Sequence, residues 1–210
     1  MVERISNYLV ENVICKGEIL SDEEKEILNF GVTRIVEDVP KYVIMLTIAI
    51  VTNTLKELGL VFAIMVMYKS FIGGAHARTN FVCLISSNII FFTPIIISKL
   101  FEIENVVLNV MYVIVAIISL LVINYIAPAD TEEIPILKAS KRKKIKIQAF
   151  ISLLIICIVS IFFLNNPTVK EIILVTVFII DICATKPIYR LYKCKYSYES
   201  EEFKDYFNKS

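Results

Sequence analysis

The sequence predicts an all-α polytopic integral membrane protein, with about six transmembrane or re-entrant helices behind amphipathic N-terminal helices. Three observations carry this reading. The 210 residues are 57% hydrophobic, too apolar for a soluble domain of that size. Mean hydropathy is +0.70, and the apolar residues gather into runs close to the length of a bilayer crossing. The charges nearly balance, 22 Lys+Arg against 21 Asp+Glu, but they lie mostly between those runs. Such balance gives no bulk attraction to nucleic acid. With 5 Cys in no CxxC pair and 1 His, suitably spaced ligands for a zinc site are too few, so neither a metal nor a cofactor is expected.

Residues 1–40 carry Glu3, Arg4, Glu11, Lys16, Glu18 and the acidic run Asp22-Glu23-Glu24, a layout unlike a cleaved signal peptide, so this region is expected to stay on the protein. Ile5, Leu9 and Val13 recur at four-residue spacing, which predicts one amphipathic helix. Ser21-Asp22-Glu23-Glu24 fits a capping box opening a second helix, with Ile27, Leu28, Val32, Ile35 and Val36 on its apolar side. Both helices suit a membrane surface or the side of a bundle.

Residues 41–186 form the predicted transmembrane domain, with apolar runs at 42–55, 58–72, 80–98, 106–127, 147–164 and 169–185. The last four meet or approach the roughly 20 residues that a crossing needs. The first two are short and stand apart at Lys56-Glu57, as two tilted spans or a re-entrant hairpin. One span over 42–68 would place both charges at mid-membrane, at several kcal/mol. Six segments put 19 of the 22 Lys and Arg residues on one side, leaving only Lys56, Lys99 and Lys170 opposite. The positive-inside rule then places both termini and the tail 187–210 in the cytoplasm of a multi-pass cell-membrane protein. Lys138, Lys141, Arg142, Lys143, Lys144 and Lys146 supply much of that bias in a basic loop, 128–146, suited to an anionic leaflet or an acidic partner.

The candidate chemistry lies in the turn 70–83, also cytoplasmic, which holds Gly73, Gly74, the single His76 and Cys83. A thiol and an imidazole in a reducing compartment are the minimum for thiol catalysis. Seven residues apart on one straight helix they would sit about 10 Å apart along the axis. Contact therefore requires His76 to fold back from a non-helical turn over the first turn of the helix bearing Cys83. Gly73-Gly74, with Thr79 or Asn80 as N-cap, supplies that break, and the exposed N–H groups of a helix start suit a developing anion. The plainer alternatives are a small core cysteine and a polar loop anchor. Cys157 and Cys183 lie inside apolar runs, and Cys15 and Cys194 read as reduced cytoplasmic thiols.

Gly73-Gly74-Ala75-His76-Ala77-Arg78-Thr79 with Cys83 resembles the signature of the accessory gene regulator B (AgrB) family, membrane endopeptidases of Gram-positive quorum sensing. Ala127-Pro128-Ala129-Asp130-Thr131-Glu132-Glu133-Ile134-Pro135, followed by the basic cluster, resembles that family's second loop. The resemblance covers nearly the whole chain and implies Cys83 as nucleophile and His76 as base. It also implies an AgrD-like propeptide as substrate, with an amphipathic leader, a central Cys or Ser and an acidic tail. Cys83 would cleave at the tail junction through an acyl-thioester, and an internal nucleophile would close a thiolactone or lactone ring. The tail then finds complementary charge in Lys141, Arg142, Lys143 and Lys144, while Lys69 and Arg78 could meet its carboxylate or the oxyanion. Asp130 and Asp181 are candidates to orient His76. A homodimer in the lipid bilayer is expected. The alternative is a small transporter or export factor with His76 as gate or proton relay, and a membrane thiol acyltransferase is a second rival.

Overall fold

The computed structural model describes residues 6, 8–10, 21–75, 77, 79–132 and 134–200. The predicted first helix around Ile5 and Val13, together with Cys15, His76, Arg78 and Glu133, therefore lies outside or largely outside the described residues. The chain divides into two compact units, Met1–Asn53 and Thr54–Ser210.

In the first unit, α1 runs over Asp22–Val51. Its start is the capping box expected from Ser21 and Glu24: the Ser21 hydroxyl accepts from the Glu24 N–H at 3.3 Å, and the Glu24 carboxylate accepts from the Ser21 N–H at 2.9 Å. The Thr33 hydroxyl donates to that of Ser6 at 2.8 Å, and Ser6 donates to the Asn29 side-chain oxygen at 2.6 Å. The helix passes through Pro40, so the amphipathic stretch and most of the run 42–55 are one element rather than two. A mid-helix proline costs about 3 kcal/mol, and here 30 residues of helix carry it. The break comes at Thr52-Asn53, where Asn53 takes a left-handed φ of 53°, a conformation that a short polar side chain tolerates.

In the second unit, α2 begins as Leu55–Ile64, widens through a π-turn at Met65–Lys69 and closes with Ser70–Ile72. Then follow α3 (Asn80–Leu100), α4 (Asn105–Tyr125), α5 (Ala139–Ile158, prolonged by a π-turn Val159–Phe163), α6 (Pro167–Cys183) and the short α7 (Lys186–Leu191). Among the described residues there is no sheet, only isolated bridges.

The protein is an all-α membrane protein. Asn80–Leu100, Asn105–Tyr125 and Ala139–Phe163, of 21, 21 and 25 residues, are long and apolar enough to cross a bilayer. They expose Ile89, Ile96, Val113, Ile117, Ile151 and Ile155, as lipid-facing helices do. At 17 residues α6 is shorter, and it forms the centre of the unit, packed on α2, α3 and α4. Ile172, Leu174, Val177 and Ile180 are all buried, so its apolar run reflects enclosure by protein. Two of the three buried charged residues of α6, Lys170 and Asp181, are tied to neighbours, whereas Glu171 keeps one buried oxygen without a hydrogen-bond partner among the described residues. Lys170 donates to the Asn109 side chain at 3.1 Å, and the Tyr112 hydroxyl donates to the Lys170 carbonyl at 2.7 Å. Tyr68 on α2 donates to one Asp181 oxygen at 3.0 Å, and Ser119 on α4 donates to the other.

Candidate active site

The α2 helix stops because Gly73 and Gly74 take φ of +83° and +140°, values that L side chains rarely adopt. Past Ile72 the backbone lies parallel to the loop after α4. The Ala129 N–H donates to the Ile72 carbonyl at 2.8 Å, the Gly74 N–H to the Ala129 carbonyl at 2.9 Å, and the Ala75 N–H to the Cys183 carbonyl at 3.1 Å. A Cβ on Gly73 would stand 2.3 Å from the Ala129 oxygen, so glycine is required by approach as well as by φ. The two stretches that carry the resemblance, bridged at Gly73 and Ala129, are thus one piece of backbone structure.

One carboxylate gathers several bonds at the loop after α4. One oxygen of Asp130 accepts from the Ser197 hydroxyl at 2.6 Å, the Ile136 N–H at 2.7 Å and the Arg142 guanidinium at 2.8 Å. Its other oxygen is buried and has no hydrogen-bond partner among the described residues. Arg142 also donates to the Pro128 carbonyl at 3.2 Å. Above the loop, the Tyr189 hydroxyl donates to the Ala129 carbonyl at 2.8 Å, and Tyr196 donates to the Ala184 carbonyl at 2.7 Å. The two rings stack with centroids 3.8 Å apart, and Tyr198 continues the stack at 5.1 Å. Burial pushes the Tyr189 and Tyr196 phenols well above their ordinary value, so both stay protonated donors at neutral pH.

Thr79 opens α3, its hydroxyl accepting from the Val82 N–H at 3.3 Å, so that of the two N-caps the sequence offered, Thr79 and Asn80, it is Thr79 that caps. Cys83 stands in the first turn, half-buried, with its N–H on the Thr79 carbonyl at 2.9 Å. His76 and Arg78 fall outside the described residues. Lys69, half-buried at the end of the π-turn, makes no side-chain hydrogen bond or ion pair among the described residues, and its charge acts on the Cys183 thiol. The other described thiols are Cys157 and Cys194, half-buried, and Cys183, buried. Lys141, Lys143 and Lys144 are exposed on the first turns of α5, and Arg142, Lys143 and Lys146 line a cleft of about 270 Å³ with Ala127 and Pro128. Among the described residues no group of three or more His, Cys, Asp or Glu side chains could hold a metal ion.

Sequence reasoning missed the tyrosine stack and Ser197. The signal available was the spacing of Tyr189, Tyr192, Tyr196 and Tyr198 in an otherwise polar tail, which nothing ties to a distant loop without the fold. It also missed Tyr68 and Ser119, the donors that occupy Asp181.

The family model described as accessory gene regulator B matches residues 2–184. An AgrB-like protein of Listeria innocua is 28% identical over 203 residues, covering 94% of this chain and 96% of its own. One from Clostridium beijerinckii is 25% identical over 175 residues, 83% of this chain and 82% of its own. One from Clostridium acetobutylicum is 30% identical over 122 residues, 58% of this chain and 56% of its own. No solved structure matches.

Proposed function

Because the chain belongs to the accessory gene regulator B family of the agr quorum-sensing system, we propose that it is a membrane cysteine endopeptidase that trims and cyclises an AgrD-type propeptide. The observation that carries this reading is the docking of the Gly73-Gly74 turn on Ala129, immediately ahead of the capped helix start that bears Cys83. A rigid turn followed by a helix N-terminus is the scaffold that a thiol and a neighbouring base need.

In this reading His76 takes the Cys83 proton as Sγ attacks the carbonyl carbon at the tail junction. The positive end of the α3 dipole stabilises the oxyanion. The intermediate collapses as His76 returns the proton to the departing amine, so the tail leaves with a new N-terminus and Cys83 keeps the acyl group as a thioester. An internal thiol of the propeptide then gives its proton to His76 and attacks the same carbonyl. Its sulfur replaces that of Cys83, which recovers the proton. One thioester replaces another, so excluding water matters more than driving force.

The supporting parts follow the geometry. Lys141, Lys143 and Lys144 are exposed for the acidic tail, and Lys69 has its ammonium available for a carboxylate or the oxyanion. Arg142 is committed to Asp130 and shapes the loop. Asp181 has both oxygens occupied, whereas one Asp130 oxygen has no partner among the described residues, which favours Asp130 as the group that orients His76. Both termini and the turn face the cytoplasm, the N-terminal region receives the leader, and two copies pair in the bilayer. Incubating propeptide with the purified protein in liposomes tests the reading: tail release must occur with the wild type and vanish in Cys83→Ala.

A further inference from the structure

We infer that residues 186–199 form a clasp that sets the position of the catalytic turn, with Tyr189 as the positioning residue; this rests on the peptidase reading. The Ala129 carbonyl is the joint. It accepts from the Gly74 N–H at 2.9 Å and from the Tyr189 hydroxyl at 2.8 Å, so both of its lone pairs are used. The second donor restricts this peptide further than the Gly74 bond alone, and the turn follows it through Gly74. The same tyrosine lies 3.3 Å from the Asp130 carbonyl, and so spans two consecutive peptide units of the loop.

The clasp is built to hold still. Tyr189 is 2% exposed and Tyr196 is 1% exposed, with their rings stacked. Residues 131 and 196 form an antiparallel bridge, and the Glu132 N–H reaches the Lys195 carbonyl at 3.3 Å. Ser197 closes the far side on Asp130, and Lys186 pairs with Glu199 at 3.1 Å across the ends of the segment. Enclosed hydroxyls that spend their hydrogen bonds on another segment's carbonyls specify a backbone position rather than mere compactness. The family match ends at residue 184, so the clasp lies beyond the region this chain shares with the family model.

Tyr189 acts through Ala129 and Gly74, and so its removal should act on reactivity more than on folding. Tyr189→Phe and Tyr196→Phe make a matched pair: each removes one hydroxyl from a ring of the same stack, but Tyr196 donates to Ala184, not Ala129. The experiment measures the rate of Cys83 alkylation by iodoacetamide at neutral pH, by peptide mapping of the full chain in liposomes, with thermal unfolding followed by circular dichroism. Tyr189→Phe should slow alkylation about tenfold and Tyr196→Phe by less than about twofold, with similar unfolding midpoints for the two variants, since small misplacements of reacting groups cost large rate factors. Equal slowing in both variants, or none in Tyr189→Phe, overturns the clasp. A wild-type Cys83 no more reactive than free cysteine overturns the peptidase reading itself, and the clasp with it.

Discussion

Gly73 and Ala129 meet as a parallel bridge so close that no side chain fits between them, a Cβ on Gly73 standing 2.3 Å from the Ala129 oxygen. This contact makes the end of α2 and the loop after α4 a single structure. Gly73→Ala must either relinquish φ +83° or push the loop away. Left-handed strain and overpacking together predict a loss of roughly 2–4 kcal/mol, and with it the loss of tail cleavage. Gly59→Ala is the control: nothing lies within 4 Å of its added methyl, and it sits within α2, so it should stabilise by about 1 kcal/mol. The chain has no Trp, so thermal unfolding is best followed by circular dichroism.

Asp130 and Arg142 form a pair with side chains 2% and 21% exposed, and the same carboxylate oxygen also serves Ile136 and Ser197. Removing one partner leaves the other poorly satisfied inside the loop. Asp130→Ala should therefore cost about 3–5 kcal/mol and Arg142→Ala less, because its guanidinium is partly solvated. The double variant should fall short of the sum by about 1–3 kcal/mol in a double-mutant cycle. Strict additivity would show that the two act separately.

Lys141, Lys143 and Lys144 are exposed on α5 and make no ion pair among the described residues. Replacing all three with Gln should raise KM for the propeptide several-fold, leave kcat nearly unchanged and flatten the dependence of KM on salt. Identical kinetics at low and high ionic strength, before and after replacement, would remove the basic loop from substrate binding.

The capping box of α1 carries a pH signature. The backbone N–H of Ser21, and then its hydroxyl, hold the Glu24 carboxyl below its ordinary value of 4.5. A group lowered by folding adds stability that is present above its unfolded value and disappears as pH falls through the folded one. Amide exchange over residues 21–28, corrected for its intrinsic pH dependence, should therefore accelerate on acidification below about 4.5. Glu24→Gln should abolish that transition, and a wild-type profile flat down to pH 2 would contradict the assignment.

Local signals were legible in the chain. Ser21 and Glu24 announced a helix start, Thr79 announced another, and Gly73-Gly74 announced a break, because each depends on neighbours a few residues away. Hydropathy alone found α3, α4 and α5. The placement of α6 was not legible: an apolar run reads alike whether lipid or protein surrounds it, and its Lys170 and Asp181 are accommodated by Asn109, Tyr68 and Ser119 on other helices. Nor did Pro40 mark a boundary, since the cost of one lost hydrogen bond says nothing about what the rest of a long helix supplies. At the candidate site the motif residues were visible, but their support was not. Tyr189, Tyr196 and Ser197 reach Ala129, Ala184 and Asp130 across a separation that only the fold closes.

The proposed reaction turns on an acyl-thioester at Cys83 which the propeptide's own nucleophile resolves. Mass spectrometry of the N-terminal fragment made by the protein in liposomes tests it most directly. The wild type should give a released tail and a fragment lighter by one water than hydrolysis gives, both absent with Cys83→Ala. Tail release that survives in Cys83→Ala, or no cleavage by the wild type, would contradict it.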